Sequence, residues 1–100
     1  MADFCLTLIC PPAIEEKLLD TLLEHAGSEV FTSTPTYSHG TAPGRISAEE
    51  QVMGRSRAVQ VQVLLSAGER DALLQLLRSE FHGTGLRYWA TAVVQEGVFL

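Results

Sequence analysis

The alternation of hydrophobic and polar positions changes along the chain and predicts strands and helices in turn. From Phe4 to Cys10 nearly every residue is apolar, so both faces of an extended segment would be covered, as in a central strand. Pro11 and Pro12 then open a helix, because proline is tolerated in the first helical turn. Its apolar stripe consists of Ile14, Leu18, Leu19, Leu22, Leu23 and Ala26, and Gly27 is predicted to end it.

Two further strands follow the first helix. Residues 30–37 (VFTSTPTY) are rich in β-branched and aromatic types, but Pro35 cannot donate to a ladder, which favours an edge strand or a bulge. In residues 58–65 (AVQVQVLL) valines alternate with glutamines, which indicates a strand with one covered face. The polar face of that strand is either solvated or used by a neighbouring subunit.

The second half of the chain predicts a helix and a last strand. Ser66 and Glu69 match a capping box, in which the serine accepts from a backbone N–H and the glutamate reaches back. The helix ends near HGTG, where Gly83 and Gly85 supply positive φ values. The final strand, LRYWATAVV, starts at Leu86.

The order βαββαβ predicts an α+β, ferredoxin-like fold formed by residues 1–100 as a single domain. In it a four-stranded antiparallel sheet carries two helices on one face, with the first and third strands in the middle. The other face has no helix to cover it. We therefore expect an exposed apolar patch that promotes self-association, made of Thr7, Ile9, Trp89 and Val93.

Composition limits the classes of function. The formal net charge of −5 opposes attraction to nucleic acid or anionic lipid, so we expect neither nucleic-acid binding nor membrane insertion. The first apolar run stops at Pro11 and Pro12, far short of a membrane span, which predicts a cytoplasmic protein. Cys5 and Cys10 fall on opposite faces of one strand, too far apart for a disulfide, and we expect buried free thiols.

A long segment separates the second and third strands. Residues 36–57 hold three of the chain's six arginines and three of its eight glycines. We expect residues 38–56 to form a flexible loop, with a second capping-box match over 47–50. Arg55 and Arg57 rejoin the sheet, where their forked donors suit an anionic ligand or a partner's acids, unless they pair with Glu49 or Glu50.

The sequence of this loop, together with the order of the predicted elements, resembles that of a known family. A chain of this length with βαββαβ order and the run SHG followed by ISAEEQVMGRSR resembles the small PII-like signalling proteins. Within them it is similar to a branch whose loop carries a related SAEEQVxGR segment and which is associated with heavy-metal cation efflux. The resemblance implies a homotrimer with ligand clefts between subunits, and a long loop, the T-loop, that regulates a membrane transporter. It implies ligand-binding positions at Tyr37, His39, Arg55, Arg57, His82, Thr84 and Arg87.

The sequence does not identify the effector. The segment after the second helix reads FHGTGLRYW, without the phosphate-gripping lysine of nucleotide-binding PII proteins, so an adenine nucleotide is allowed but not implied. A transition-metal ion is the other candidate, with His39 from two or three subunits as the proposed ligand, joined by Tyr37 or His82. The competing interpretation is that His39 is a solvent-facing loop residue.

Catalysis finds little support in the sequence. No serine or cysteine lies in a nucleophile setting, and the segment PPAIEE after the first strand is acidic where an acylphosphatase needs a phosphate-binding loop. We therefore expect no enzyme. The alternative to a PII-like regulator is a trimeric metal- or small-ligand-binding protein that resembles CutA and has no loop-borne target.

Overall fold

A computed structural model describes residues 2–25, 30–40 and 55–100 of the protein. Strand β1 spans Phe4–Cys10, and a short 3-10 turn at Pro12–Ile14 leads into helix α1, Glu15–His25. Strands β2 and β3 span Phe31–His39 and Arg55–Leu65. Helix α2 and strand β4 complete the fold at Ala67–Glu80 and Arg87–Ala92.

The four strands form one antiparallel sheet in the order β2-β3-β1-β4. The predicted ferredoxin-like α+β fold is therefore confirmed, with β1 and β3 in the middle. Strand β2 lies at an edge, as its proline predicted, and Pro35 pairs with Val59. An edge strand has one side without a neighbouring strand, and a residue that lacks an N–H is tolerated there.

The core lies between one face of the sheet and the two helices. Leu6 and Leu8 of β1 are fully buried, and so are Leu18 and Leu22 of α1. The remaining core side chains come from the end of β1, from every other position of β3, from the apolar side of α2 and from the residue after it: Cys10, Val61, Val63, Leu65, Leu73, Leu77 and Phe81. The period of two in the strands and of about 3.6 in the helices places these residues on facing surfaces.

The predicted capping box is present at the start of α2. The Glu69 N–H donates to Ser66 Oγ at 3.2 Å, and the Ser66 N–H donates to Glu69 Oε1 at 2.9 Å. Each side chain thus satisfies a backbone donor at the helix start that has no partner within the helix. The predicted ends of α1 at Gly27 and the second capping box over residues 47–50 lie outside the described residues.

Two expectations are corrected by the strands. The strands flanking the long segment reach His39 and begin at Arg55, so Ser38, His39, Arg55 and Ser56, predicted to lie in a loop of residues 38–56, are paired in strands. Residues 41–54 of that prediction lie outside the described residues. Thr7 was expected in an exposed patch but is 2% exposed. The reason is its position between Gln62 and Trp89, its two direct cross-strand neighbours, whose larger side chains flank it.

Candidate functional site

Strands β2 and β3 continue beyond the rest of the sheet as a two-stranded extension. Strand β1 ends at Cys10 opposite Val59, whereas β3 continues to pair with β2 back to Arg55. We call residues 36–39 of β2 and 55–58 of β3 the loop-base ribbon. It forms the base from which the long segment of the sequence leaves the sheet.

Four predicted ligand-binding residues form two direct cross-strand pairs in this ribbon. Tyr37 lies opposite Arg57, and His39 lies opposite Arg55. Since directly opposed residues of an antiparallel pair share a face, with Cβ atoms about 5 Å apart, these positions all belong to one side of the ribbon. The side chains of Tyr37, His39 and Arg57 are exposed. The sequence could name these residues, but the register that opposes them comes from the strand pairing.

The opposite side of the ribbon carries a residue that sequence reasoning missed. Ser56 lies opposite Ser38 and is 9% exposed. Within the part of the chain that the structure describes, its Oγ has no hydrogen-bond partner. A buried hydroxyl without a partner is uncommon in folded proteins. No sequence signal distinguishes this serine, because its burial depends on the extension of β3.

The short turn between α2 and β4 holds the other three predicted positions. Gly83 and Gly85 have φ values of 78° and 85°, in the region that favours glycine. The Thr84 hydroxyl donates to the Phe81 carbonyl at 2.7 Å and accepts from the Leu86 N–H at 3.3 Å. Thr84 therefore fixes the shape of the turn, a structural role that differs from the predicted ligand contact. His82 and Arg87 are exposed on either side of it.

The turn and the ribbon lie at the same end of the sheet. Arg87 opens β4 opposite Ile9, which is itself opposite Gln60, three residues after Arg57 along β3. With about 3.3 Å per residue and about 4.8 Å between strands, the Cα atoms of Arg57 and Arg87 are roughly 14 Å apart. The structure brings Tyr37, His39 and the two ribbon arginine positions together, but not with the turn.

Cys10 ends β1 at this same end of the sheet. Its thiol is fully buried and donates to the Pro11 carbonyl at 3.2 Å. Burial, and then the negative charge of Glu15, raise the pKa of Cys10 from 9.0 to about 11. Because the thiolate is the metal-binding and nucleophilic form, Cys10 is a structural residue. Cys5, on the opposite face of β1, is also a free thiol.

The described residues contain no group of three or more His, Cys, Asp or Glu side chains placed to hold a metal ion. Two exposed guanidinium groups lie at this end of the sheet, those of Arg57 and Arg87. In the described part of the chain neither forms an ion pair; the ion pairs found there join Lys17 to Glu80 and Arg70 to Asp71. Such guanidinium groups suit carboxylate, phosphate or bicarbonate.

Neither helix of the described residues could span a membrane. Both α1, with 11 residues, and α2, with 14, are too short and too polar to span a bilayer.

Solved structures confirm the fold. A DUF3240 family protein from Shewanella baltica OS155 is 20% identical with a TM-score of 0.80, over 100% of this chain and 99% of that one. CPII, a nitrogen regulatory PII-like protein from Thiomonas intermedia K12 bound to ADP, AMP and bicarbonate, is 16% identical with a TM-score of 0.71, over 98% of both chains. CutA from Synechococcus elongatus PCC7942 is 22% identical with a TM-score of 0.64, over 93% of this chain and 79% of that one.

A search of curated proteins finds no match to the chain. A family model does match: its description is "Protein of unknown function (DUF3240)", and the match extends over residues 1–99. This match and the ferredoxin-like sheet agree over nearly the whole length of the protein. The chain belongs to the DUF3240 family.

Proposed function

We propose that the protein is a PII-like regulatory protein that binds a small anionic effector and is not an enzyme. It acts in the cytoplasm as a homotrimer, with effector clefts between subunits. The segment that joins β2 to β3 changes its contacts when the effector binds and so regulates a transporter, of the heavy-metal cation-efflux type. The observation that carries the proposal is the position of Arg57 and Arg87, two exposed cations without an ion pair among the described residues, at one end of the sheet.

The separation of these two cations favours a cleft shared between copies. Within one chain their Cα atoms are roughly 14 Å apart, by the spacings of a sheet. A small ligand that contacts the ribbon of one subunit and the turn of the next would be gripped by both. The ligand would then bind the assembled arrangement more tightly than any arrangement in which the two surfaces are apart. Such a difference in affinity shifts the population towards the assembled arrangement.

The chemistry of the ribbon supports an anion. Arg57 offers a planar fork that pairs with carboxylate, bicarbonate or phosphate oxygens, and Tyr37 opposite it offers a ring and a hydroxyl. The Thiomonas protein, which shares the fold, has been crystallised with ADP, AMP and bicarbonate. Because this chain has no lysine in the turn after α2, we propose that Arg87 supplies the positive charge there.

The second candidate is a trimeric metal- or small-ligand-binding protein with the architecture of CutA. Its supporting observation is the exposure of His39 at the tip of β2. Since no metal-binding group forms among the described residues of one chain, the ion would need His39 from two or three copies, with Tyr37 or His82 completing the shell. In this alternative the long segment has no target protein.

A thermal-shift screen separates the two candidates. The purified protein is melted with ADP, AMP, bicarbonate, Zn²⁺ or Cu⁺, because a ligand that binds the native state raises the melting temperature by mass action. We expect stabilisation by an anion that is lost in Arg57→Gln or Arg87→Gln. Stabilisation by a metal ion alone, lost in His39→Ala, supports the CutA-like candidate. No stabilisation by any of the five ligands contradicts both.

The regulatory role has a separate test in cells. Residues 40–54 are replaced by a short glycine-containing turn, which leaves both strands intact. We expect this variant to fold and bind the effector but to alter cation tolerance in the cells. If tolerance is unchanged while effector binding persists, the loop-borne signalling role is wrong and the binding role stands.

A further inference from the structure

The chain continues beyond β4 as an extended apolar segment. Residues 94–100 (VQEGVFL) adopt no regular secondary structure, and we call them the arm. Its large apolar side chains expose about three-quarters of their surface or more: Val94, Val98, Phe99 and Leu100. Each is far more exposed than the half-exposed Trp89 of the neighbouring strand. A cluster of this kind marks a contact surface.

Two hydrogen bonds join the start of the chain to the residue before the arm and to the arm itself. The Val93 N–H donates to the Asp3 carbonyl at 2.9 Å, and the Ala2 N–H donates to Glu96 Oε2 at 3.2 Å. The only charged side chain of the arm, that of Glu96, therefore already has a hydrogen-bond partner. Residues 97–100 carry no charged side chain, so their side chains add no ionised group to a contact with a partner.

A complementary surface exists at the other edge of the sheet. Strand β2 pairs with β3 on one side, and its other side is the edge of the sheet. Residues 32–35 are exposed on both faces, so the middle of β2 is covered by neither helix. An extended segment can add to such an edge through main-chain hydrogen bonds, while its side chains pack on alternate faces.

We propose that the arm adds as a strand to the free edge of β2 in a second copy of this chain. The arm of seven residues is about 23 Å long at about 3.3 Å per residue, within the nine residues of β2. In an extended segment Val94, Val98 and Leu100 share one side with Glu96, and Phe99 lies on the other, so both sides carry large apolar side chains.

The sheet order requires that the acceptor is another copy. The arm leaves from β4, at the edge opposite to β2, so it cannot lie alongside the β2 of its own chain. A contact between two different surfaces of identical chains is heterologous, and it closes into a ring when the rotation permits. The inference therefore rests on the proposed trimer and assigns the segment that joins its subunits.

The test compares two variants with the wild type by sedimentation equilibrium and amide hydrogen exchange. Val98→Ser with Phe99→Ser removes two of the four large apolar side chains of the arm, whereas Leu23→Ser removes an exposed leucine of α1 and serves as the control. We expect the double variant to self-associate at least ten-fold more weakly and its β2 amides to exchange at least ten-fold faster. The control is expected to match the wild type in both measurements.

The outcomes separate this inference from the proposed function. If the double variant remains a trimer with wild-type β2 protection, the arm inference is overturned and the trimer stands. If the wild type sediments as a monomer, both are overturned. If the wild type binds phosphatidylcholine–phosphatidylglycerol vesicles and the double variant does not, the arm is a membrane contact and the inference is overturned.

A cysteine pair tests the acceptor directly. Chains carrying Phe99→Cys are mixed with chains carrying Thr34→Cys on β2, both with Cys5→Ser, while the buried Cys10 is retained. Mild oxidation is expected to form a disulfide between the two kinds of chain. Thr91→Cys on β4 replaces Thr34→Cys in the control mixture. Equal or greater cross-linking to position 91 would place the arm on β4 and overturn the assignment to β2.

Discussion

Tyr37 of β2 and Arg57 of β3 are direct cross-strand neighbours on the part of the sheet that extends past β1. This pairing places an arginine position directly opposite a tyrosine position at the base of the long segment. Because both positions belong to hydrogen-bonded strands, their backbones are held rigidly, while their side chains are exposed. A site on strands positions its groups more precisely than a site on a loop.

Arg57→Gln is expected to weaken binding of the effector found in the thermal-shift screen by at least ten-fold. A hydrogen bond to a charged group contributes about 1.5–3 kcal/mol, which corresponds to roughly ten-fold or more in affinity. The measurement is a calorimetric titration of the wild type and the variant. Arg78→Gln, which removes an exposed arginine of α2, is the control and should bind as the wild type does. Equal affinities for all three proteins would remove Arg57 from the site.

Two adjacent leucines of α1 should differ sharply in their effect on stability. Leu22 is fully buried in the core, whereas Leu23 is 65% exposed. Leu22→Ala is expected to cost about 2–5 kcal/mol through lost burial and the cavity that remains. Leu23→Ala should change the free energy of unfolding by less than about 0.5 kcal/mol. Urea unfolding at one chain concentration measures both, since self-association also contributes to stability. Similar losses in the two variants would contradict the assigned core.

The capping box predicts a specific cost at position 66. Ser66→Ala removes the acceptor of the Glu69 N–H and is expected to cost about 1 kcal/mol. For a domain of this size that corresponds to a melting temperature lower by about 4–8 °C. Ser66→Thr keeps a hydroxyl acceptor and should recover most of the loss. Equal melting temperatures for the alanine variant and the wild type would show that the cap contributes nothing.

The same cap predicts a dependence on pH. Hydrogen bonds from the Ser66 backbone N–H, and then from its side chain, lower the pKa of Glu69 from its ordinary 4.5. A lowered pKa in the folded state means that stability is present above pH 4.5 and is lost as the pH falls through the folded value. Glu69→Gln should therefore flatten the stability profile between pH 5 and lower values, as measured by urea unfolding. An unchanged profile would contradict the assignment.

The two thiols should differ in reactivity. Cys5 is partly exposed and Cys10 is buried with a pKa of about 11, so a thiol reagent at pH 8 should label Cys5 first and Cys10 only after unfolding. Cys5→Ser should remove the fast phase. Since burial raises the Cys10 pKa above 9.0, its stabilising effect is complete below pH 9 and is lost as the pH rises towards 11. Fast labelling of Cys10 in the Cys5→Ser variant would contradict its burial.

Local signals in the sequence predicted much of the fold. The capping box of Ser66 and Glu69 is formed by residues three apart, and Pro35 limited β2 to an edge or a bulge, so neither prediction needed a distant contact. The ends of the long segment were placed wrongly because Ser38, His39 and Ser56 show no hydrophobic alternation. There the two strands hold each other by backbone pairing alone.

The site could be predicted only as a set of residue names. The opposition of Tyr37 to Arg57 depends on a register set across a long segment, and one residue of slippage would move each side chain to the other face. The distance to Arg87 depends on the order of three strands. Thr84 remains a predicted ligand contact, and its hydroxyl also holds the turn through Phe81 and Leu86, a role that the sequence did not predict.

The central claim is that a small anion binds where the loop-base ribbon of one subunit meets the turn of another. Backbone amide chemical shifts recorded during titration with ADP and bicarbonate test it most directly. We expect the largest changes at residues 36–39, 55–58 and 82–87, all saturating at one ligand concentration. Saturable changes confined to α1, or no changes at any concentration, would contradict the proposed site.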